Sequence, residues 1–508
     1  MTPRRLRSTG LWLHAALLAV LAWAVLRFLA HAASVIGYRY GLDFGEGIVW
    51  QQALLIPGPR MYGDITRFPF LVFHYPPLYH LISRGVAALG VDGLVAGRLV
   101  SLASTLAMCG CLAALAWLAV RARFGRRPAQ FAAATGFALP LAMLPVFCWA
   151  PMMRVDMLAA ALGFAGMLCA AMAPARPGLL PLAGVLFVAA LYTRQSAVAA
   201  PLAALLVMLP VMPGATLRAM LLAGVIGLAG LLGMTLATDG GFLRHVVGYN
   251  VNRFDLARGL SQTGTLALVS LGYVAVAGVA AVLAARDLAR ATAGRGLPRL
   301  LREDQGARAV AMLLAYLAVT TLMLPMAGKS GASINYFIEW SCALALFAGL
   351  LGARALALLA ALPPGMRPHP GLLMLPALLA WQMIATRPPW HPYLALEART
   401  LRLLALEAEL RNAGRPAISD EMVLLIRSGQ GVVWESAIFA ELASLGRWDE
   451  APLRAMLEAG RFAFVLTDGL PGTALYDSRY TPAISAAIDR AYPRREAIAG
   501  GLVLHRPP

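Results

Sequence analysis

Charged side chains are scarce in this chain of 508 residues, at 13%, whereas hydrophobic residues make up 60%. Lysine is almost absent, because Lys329 is the only one among the 43 basic residues. A soluble domain of this length needs a much larger charged surface. The composition therefore argues against a soluble enzyme and indicates a polytopic membrane protein.

Cysteine is also rare, and its five copies lie in or beside apolar runs. None has a second cysteine or a histidine at the spacing of a zinc site, so we expect small buried thiols. Residues 388–508 contain no cysteine, which excludes a disulfide there. The same residues lack a glycine-rich phosphate loop and a nucleophile elbow, so they match neither of those catalytic motifs.

The basic excess, 43 residues against 25 acids, is unevenly distributed. Residues 1–387 hold 30 basic and 11 acidic residues, whereas residues 388–508 hold 13 and 14. In the first part the basic residues stand in short loops between apolar runs, which is the pattern that sets membrane topology. A nucleic-acid-binding protein would cluster them on one folded face. We therefore expect membrane lipid around the chain and no nucleic-acid partner.

Apolar runs of about 20 residues can cross a bilayer, and the sequence contains eleven candidates. The amino-terminal one resembles a secretion signal but is long and lacks a convincing cleavage site, so we expect a retained signal anchor. The candidates lie at 11–34, 94–120, 129–148, 156–173, 178–193, 196–212, 217–237, 264–285, 309–326, 335–362 and 371–386.

Arginine-rich loops predict the orientation. "RARFGRRP" and the segment 286–308 fall on the same side as the amino terminus if the helices alternate, and that side is cytoplasmic. Eleven crossings then place residues 388–508 in the periplasm of a bacterial inner membrane. Strand-like and helix-like segments alternate there, which predicts a small α/β domain with a binding or lid role. The expected organisation is a membrane domain, 1–387, with a first outer loop at 35–93, and a periplasmic domain, 388–508.

Two acids stand at the entrance to the first outer loop. Asp43 and Glu46 are three residues apart, so a helix beginning there would carry both on one face. One interpretation is capping, because acids complement the dipole at a helix start. The loop continues with "FHYPPLYH", which contains His74, Tyr75 and Tyr79. Its paired prolines are also typical of an ordinary rigid turn.

The other outer loops add cations and amides to these acids. Arg154 and Asp156 begin a helix, where a dipole effect and a local ion pair are the simpler interpretation. Arg194 has the alternative of snorkelling at a helix end, and Lys329 that of an ordinary surface lysine. The candidate substrate-binding residues of these loops and the first one are His74, Tyr75, Tyr79, Gln195, Asn250 and Asn335.

Carboxylates and cations above an apolar helical bundle suit a substrate with an anionic headgroup and an apolar lipid chain. Glycosyl transfer from a lipid phosphate needs a carboxylate that takes a proton from the acceptor hydroxyl. It also needs positive charge that stabilises the departing phosphate. The acidic pair Asp43 and Glu46 is then the base and its partner, and Lys329, Arg154 and Arg194 bind the donor phosphate.

Over most of residues 10–390 the chain resembles the GT-C-fold membrane glycosyltransferases of the family 39 type. That class includes protein O-mannosyltransferases and the aminoarabinose transferase of lipid A. The resemblance rests on "DFGEG", "HYPPLY", Arg98 in "AGRLVS" and Asp156 in "RVDM". It implies an α-helical polytopic protein of about eleven transmembrane helices with a small periplasmic α/β domain.

The resemblance also implies chemistry: a polyprenyl-phosphate-linked sugar donor, inversion at the anomeric carbon, and an envelope acceptor that is a lipid, a glycan or a protein. It implies Asp43 as the base with Glu46 as the alternate, a second catalytic acid at Asp156, and Arg98 at the donor phosphate. Many members have adjacent Asp and Glu, whereas two residues separate them here, and some members use a divalent metal near these acids.

Two other functions stay open at this point. A transporter or flippase of a lipid-linked saccharide predicts charges buried in mid-helix and inverted repeats with broken helices. A non-catalytic subunit of an envelope assembly predicts that loss of Asp43 leaves sugar transfer intact. The charges of this chain gather at one interface and no repeat is evident, which favours the transferase.

Overall fold

The computed structural model describes residues 2–250, 252–363, 365–390, 393 and 396–508. Helices dominate the part of the chain before residue 388, and short 3₁₀ turns occur at Leu324–Gly328 and Ile334–Phe337. The helices of this part are α1 Pro3–Ile36, α2 Gly45–Leu55, α3 Leu78–Ala87, α4 Gly93–Phe124, α5 Arg126–Ala142, α6 Leu144–Trp149, α7 Asp156–Met172, α8 Leu179–Leu191, α9 Ala199–Val211, α10 Pro213–Ala237, α11 Gly241–Leu243, α12 Leu256–Val269, α13 Leu271–Thr292, α14 Leu297–Glu303, α15 Gln305–Met323, α16 Ile338–Ala361 and α17 Pro370–Ala385.

Each of the eleven apolar runs in the sequence coincides with one or more of these helices. The run at 129–148 is divided, because Pro140 lies near the end of α5 and Pro145 in the first turn of α6, and proline cannot continue a helix ladder. Six segments of the described chain are long and apolar enough to cross a membrane, and the total of eleven crossings stays a prediction. The six are Pro3–Ile36, Gly93–Phe124, Pro213–Ala237, Leu271–Thr292, Gln305–Gly328 and Ile334–Ala361.

The largest core lies between α1, α4, α5, α7, α9, α13, α15 and α16. Small residues allow these helices to approach closely: a Cβ at Gly349 of α16 would lie 3.0 Å from the Ala132 carbonyl oxygen of α5. Helix α10 is the opposite case, since only Thr216 and Ala219 of its 25 residues are buried. An apolar helix with this much exposed surface is suited to contact with lipid.

The C-terminal part is a four-stranded sheet with flanking helices. In the sheet order β1-β2-β4-β3, β1 and β2 are parallel and the other neighbours antiparallel. The strand-like segments of the sequence include "PAISD" and "RFAFVLTDG", which contain β1 and β2, and "GGLVLH", which overlaps β4. The elements are α18 Leu396–Asn412, β1 Ile418–Ser419, α19 Met422–Arg427, α20 Ser436–Ser444, α21 Ala451–Glu458, β2 Val465–Asp468, α22 Ala474–Asp477, α23 Pro482–Ala491, β3 Arg494–Ile498 and β4 Leu502–Arg506.

This C-terminal part shares its cores with the first outer loop. One core joins Tyr40, Ile48 and Trp50 of the loop to the sheet and to α18 and α19, and a second joins Phe70 and Val72 to α20, α21 and α23. The backbone N–H of Phe70 also donates to the Val433 carbonyl at 2.9 Å. The loop and the C-terminal residues therefore form one packed unit, and the expected site lies beneath it.

Candidate active site

A buried ion pair fixes the entrance of the first outer loop. The Glu46 and Arg98 side chains are completely buried and joined at 2.7 Å. Glu46 also accepts hydrogen bonds from the backbone N–H groups of Leu42 and Met153, both at 2.6 Å. Both oxygens of Glu46 are therefore occupied, and this carboxylate has no lone pair directed at a substrate.

The N–H groups of Arg98 are also fully occupied. Besides Glu46, its guanidinium donates to the backbone carbonyls of Val35, Ile36, Tyr38 and Tyr40, at the end of α1 and just after it. These bonds engage all five N–H groups that an arginine has. We predicted that Arg98 binds the donor phosphate, and this geometry revises that prediction: Arg98 holds the loop.

Asp43 differs from Glu46 three residues later. Its side chain is 22% exposed, and its Oδ2 lies 3.7 Å from Arg154 Nη1. Its Oδ1 is buried and has no hydrogen-bond partner among the described residues. Burial raises the pKa of Asp43, although the Arg154 guanidinium opposes that shift. Of the two acids in "DFGEG", Asp43 is therefore the one with a free oxygen.

Glycine brings Arg154 to this loop. A Cβ at Gly45 would collide with the Arg154 guanidinium, so only glycine permits the approach. The same guanidinium lies over the Trp149 ring, 5.0 Å from its centroid, and Arg154 Nε has no hydrogen-bond partner. Gly45, one of the two residues that separate Asp43 from Glu46, thus makes room for a cation beside Asp43.

Asp156 is held by three neighbours at the start of α7. Its Oδ1 accepts from Arg194 at 2.7 Å and from the Asn335 side chain at 2.9 Å, and its Oδ2 accepts from Trp149 Nε1 at 2.7 Å. The Asp156 side chain is 1% exposed and that of Arg194 is 14% exposed. Asp156 therefore positions Arg194 and Asn335, and the structure gives it no open oxygen for catalysis.

Lys329 is a second cation, within electrostatic reach of Arg194. Burial lowers the pKa of Lys329, and the positive charge of Arg194 lowers it further. Among the described residues no acid is paired with the half-buried Lys329 ammonium. Two cations within electrostatic reach of each other, with a carboxylate paired to only one of them, suit an anion. We name the sequence Asp43, Arg154, Asp156, Arg194 and Lys329 the charged row.

The "FHYPPLYH" segment passes along this row. Tyr75 lies within electrostatic reach of Arg154, Asp156 and Arg194, and burial raises the pKa of its phenol to about 12. The His74 carbonyl accepts from Gln195 at 3.0 Å and from Asn250 at 3.2 Å. Of the two amides, Gln195 keeps a buried Oε1 with no partner, so it retains an acceptor for a substrate hydroxyl.

His74 and Tyr79 have partners inside the protein. His74 Nε2 lies 2.7 Å from Glu435 Oε2 of the C-terminal part. The Tyr79 hydroxyl donates to the Gly97 carbonyl at 2.8 Å and lies 3.0 Å from Ser101 Oγ. Tyr79 is fully buried and packs α3 against α4. We predicted a substrate contact for Tyr79, and its geometry indicates a packing role instead.

Sequence reasoning missed three charged residues around the row. Glu339 of α16 accepts a hydrogen bond from the Tyr316 hydroxyl at 3.2 Å and lies within electrostatic reach of Arg194. Arg399 and Glu421 of the C-terminal part contact the loop that carries Asp43. Glu339 lies in the first turn of α16, four residues after Asn335, but no sequence signal connects residues 399 and 421 with residue 41.

The donor set does not fit a metal shared between the acids of this site. Divalent cations such as Mg²⁺ require several oxygen ligands. Asp43 has a free oxygen, whereas those of Glu46 and Asp156 already accept N–H groups. Within the part of the chain that the structure describes, no group of three or more His, Cys, Asp or Glu side chains is arranged around a common point.

Comparison with known proteins identifies the fold. No family model and no curated protein sequence matches the chain. The structure of ArnT from Cupriavidus metallidurans in the apo state is similar over 96% of this chain and 98% of that chain, with 16% identity and a TM-score of 0.50. The structure of ArnT bound to undecaprenyl phosphate gives 95% and 98% coverage, 15% identity and a TM-score of 0.50.

A third structure has the same architecture. The archaeal oligosaccharyltransferase AglB from Archaeoglobus fulgidus, in complex with an inhibitory peptide and a dolichol-phosphate, is similar over 94% of this chain and 72% of that chain, with 11% identity and a TM-score of 0.53. This chain has the GT-C fold. The fold class predicted from the sequence is thereby confirmed: a helical multi-pass membrane protein with a small C-terminal sheet.

In this GT-C chain the site lies where the first outer loop meets the loops before α7, between α8 and α9, and before α16. At identities of 11–16% the likeness establishes the fold. The roles of the side chains are therefore argued from their own contacts.

Proposed function

We propose that this chain is a membrane glycosyltransferase that moves a sugar from a polyprenyl-phosphate donor to an acceptor in the bacterial envelope. The observation that carries the proposal is the charged row, which, among the described residues, has a carboxylate oxygen without a partner on Asp43 at one end and an ammonium without a paired acid on Lys329 at the other. A base and an anion site in one row of residues are what glycosyl transfer from a lipid phosphate requires. The GT-C fold supports this reading, since ArnT binds undecaprenyl phosphate and AglB dolichol-phosphate.

The reaction is a single displacement at the anomeric carbon. The acceptor hydroxyl oxygen forms a bond to that carbon, its proton passes to Asp43 Oδ1, and the bond from the carbon to the phosphate oxygen breaks. The polyprenyl phosphate leaves with an additional negative charge, which Lys329 and Arg194 stabilise. Attack opposite the leaving group inverts the anomeric carbon. A sugar, pentose or hexose, is the group transferred.

The contacts refine the proposed roles of the other residues. Asp43 is the base, and Glu46 and Arg98 hold its loop. Asp156 positions Arg194 and Asn335, and Arg154 neutralises Asp43 before the acceptor arrives. Tyr75, Gln195 and the neighbouring His74 and Asn250 border the sugar, since they line the row and Gln195 has a free acceptor.

The lipid chain of the donor binds in a cavity between α7, α8, α9 and α10. It has a volume of about 490 Å³ and an almost entirely apolar lining. Tyr192 lies on its wall, two residues before Arg194 of the charged row. A prenyl chain in this cavity would bring its phosphate to the cations of the row. Helix α10, which is mostly exposed, forms one wall of the cavity.

The proposed location is a bacterial inner membrane, with the amino terminus in the cytoplasm. Residues 388–508 and the site then face the periplasm, where an envelope lipid, glycan or protein is the acceptor. The orientation follows from the arginine-rich loops, which the topology rule places on the cytoplasmic side.

The proposal is tested by mass spectrometry of envelope lipids, glycans and proteins from cells with the gene, without it, and with Asp43→Asn. We expect one glycosylated species that is absent in both the deletion and the Asp43→Asn cells, while the variant still accumulates and its purified form still binds undecaprenyl phosphate. Asp64→Asn is the matched control, because Asp64 belongs to the same loop but is half exposed and contacts its local neighbours Thr66 and the exposed Arg67. Normal product in Asp43→Asn cells would refute the base assignment. An unchanged envelope in the deletion would refute the transferase.

A further inference from the structure

Side chains hold the backbone of three consecutive residues immediately before Asp43. The Tyr40 carbonyl accepts from Arg98 at 2.7 Å, and the Leu42 N–H donates to Glu46 at 2.6 Å. Both side chains belong to the membrane part, on α4 and α2. The membrane part therefore fixes the residue on either side of Gly41, but not Gly41 itself.

The C-terminal part supplies the contacts to Gly41. The Gly41 N–H donates to Glu421 Oε1 at 2.9 Å, and the Gly41 carbonyl accepts from Arg399 Nη2 at 2.6 Å. Arg399 and Glu421 also pair with each other, with 3.3 Å between Nη2 and Oε2. This is a second arginine–glutamate pair that binds the loop backbone as the first one does. A Cβ at Gly41 would lie 3.0 Å from both Glu421 Oε1 and the Asp43 carbonyl oxygen, so a side chain there would displace at least one of them by a few tenths of an ångström.

We propose that the Arg399–Glu421 pair positions Asp43 for catalysis, and that the C-terminal part is for this reason a component of the active site. The proposal rests on the proposed function, in which Asp43 is the base. Asp43 is two residues from Gly41, and its Oδ1 has no hydrogen-bond partner among the described residues. The carboxylate is otherwise near Arg154, at 3.7 Å from Oδ2, and the backbone N–H groups of Gly45 and Glu46 in the same loop. Its position therefore depends on the loop backbone, which the two ion pairs hold from opposite sides.

The surroundings of the pair support a positioning role. Both side chains are nearly buried, with 11% of Arg399 and 6% of Glu421 exposed. Helix α19, which follows Glu421, lies close to α2: a Cβ at Gly47 would be 2.8 Å from the Val423 nitrogen. Arg479 of the C-terminal part covers the Phe44 ring at 3.9 Å. The residues on both sides of Asp43 are thus in contact with the C-terminal part.

The test compares Glu421→Ala with Glu421→Gln in the full-length chain. The alanine removes the acceptor for the Gly41 N–H, and displacement of a base by about 1 Å is enough for a roughly hundredfold loss of product formation. The glutamine retains that acceptor and loses only the charge, so we expect an intermediate loss. Binding of undecaprenyl phosphate by the purified variants should be unchanged. Hydrogen–deuterium exchange of residues 38–48 should be faster in Glu421→Ala.

Glu409→Gln is the matched control, because Glu409 lies on the same helix as Arg399 but pairs with Arg506 of β4, away from the loop. It should retain product formation and the exchange rates of residues 38–48. Wild-type product formation by Glu421→Ala would overturn the proposal. A Glu421→Ala protein that no longer folds and no longer binds undecaprenyl phosphate, besides forming no product, would overturn it too. If Glu421→Ala forms product and Asp43→Asn does not, the positioning role of the pair is refuted and the base assignment stands. If Asp43→Asn forms product, the assignment of Asp43 as the base is refuted.

Discussion

Replacing Glu46 with glutamine separates the two acids of "DFGEG" by their effects on stability. The Glu46 carboxylate accepts four hydrogen bonds, two from Arg98 and one each from the Leu42 and Met153 N–H groups, within a site that has no exposed surface. In Glu46→Gln the Arg98 charge stays buried without a counter-ion, and the new amide group faces N–H donors. Removing one partner of a buried ion pair costs about 3–5 kcal/mol. That is at least a hundredfold in the ratio of folded to unfolded protein, since about 1.4 kcal/mol is tenfold.

The assay is thermal or denaturant unfolding of the purified protein in detergent, followed by tryptophan fluorescence, beside product formation in cells. We expect Glu46→Gln to accumulate poorly and unfold early. Asp43→Asn should lose less stability than Glu46→Gln, because its contact with Arg154 is looser, at 3.7 Å, and its Oδ1 has no hydrogen bond to lose among the described residues. If Glu46→Gln folds with wild-type stability, the structural role of Glu46 is wrong; if it also forms no product while Asp43→Asn forms product normally, Glu46 is the base and the assignment to Asp43 is wrong.

Two other predictions concern charge. Product formation should rise with pH through a value above the usual aspartate range, because the base must be ionised and burial raises the pKa of Asp43; a rate already constant at pH 4–5 would contradict this. Lys329→Ala should weaken undecaprenyl phosphate binding to the purified protein, by about 1.5–3 kcal/mol for a charged hydrogen bond. Lys329→Arg should retain most of that affinity, and Arg258→Ala, at an exposed position of α12, should leave it unchanged.

Composition and apolar runs predicted the membrane fold, because a run of about 20 apolar residues in a bilayer forms a helix, in which all of its backbone hydrogen bonds are satisfied. Strand β3 was missed. Its residues Arg494, Arg495 and Glu496 are exposed at the sheet edge, where charge is common and hides the apolar alternation of a strand. The same edge chemistry makes such a strand resemble a loop in the sequence.

The site was only partly predictable. Asp43 and Glu46 have the same chemistry in the sequence, and what distinguishes them is Arg98, 52 residues after Glu46. Arg98 and Tyr79 matched the expected motifs, yet their polar atoms are used inside the protein. The contacts of Glu421 with Gly41 cross 380 positions. Such pairings are set by the packing of the loop against the C-terminal part, which no local pattern encodes.

The ion pairs within the charged row indicate which groups can change charge during the reaction. Asp156 and Arg194 neutralise each other at 2.7 Å, and Arg154 lies near Asp43 at a looser 3.7 Å. The two ends of the row therefore have the fewest partners among the described residues. Asp43 has a carboxylate oxygen without a hydrogen bond, and the Lys329 ammonium has no paired acid. In the proposed transfer Asp43 loses its negative charge as the phosphate beside Lys329 gains one. Cations fixed where charge develops stabilise the departing phosphate more than the bound donor, and that difference is what lowers a barrier.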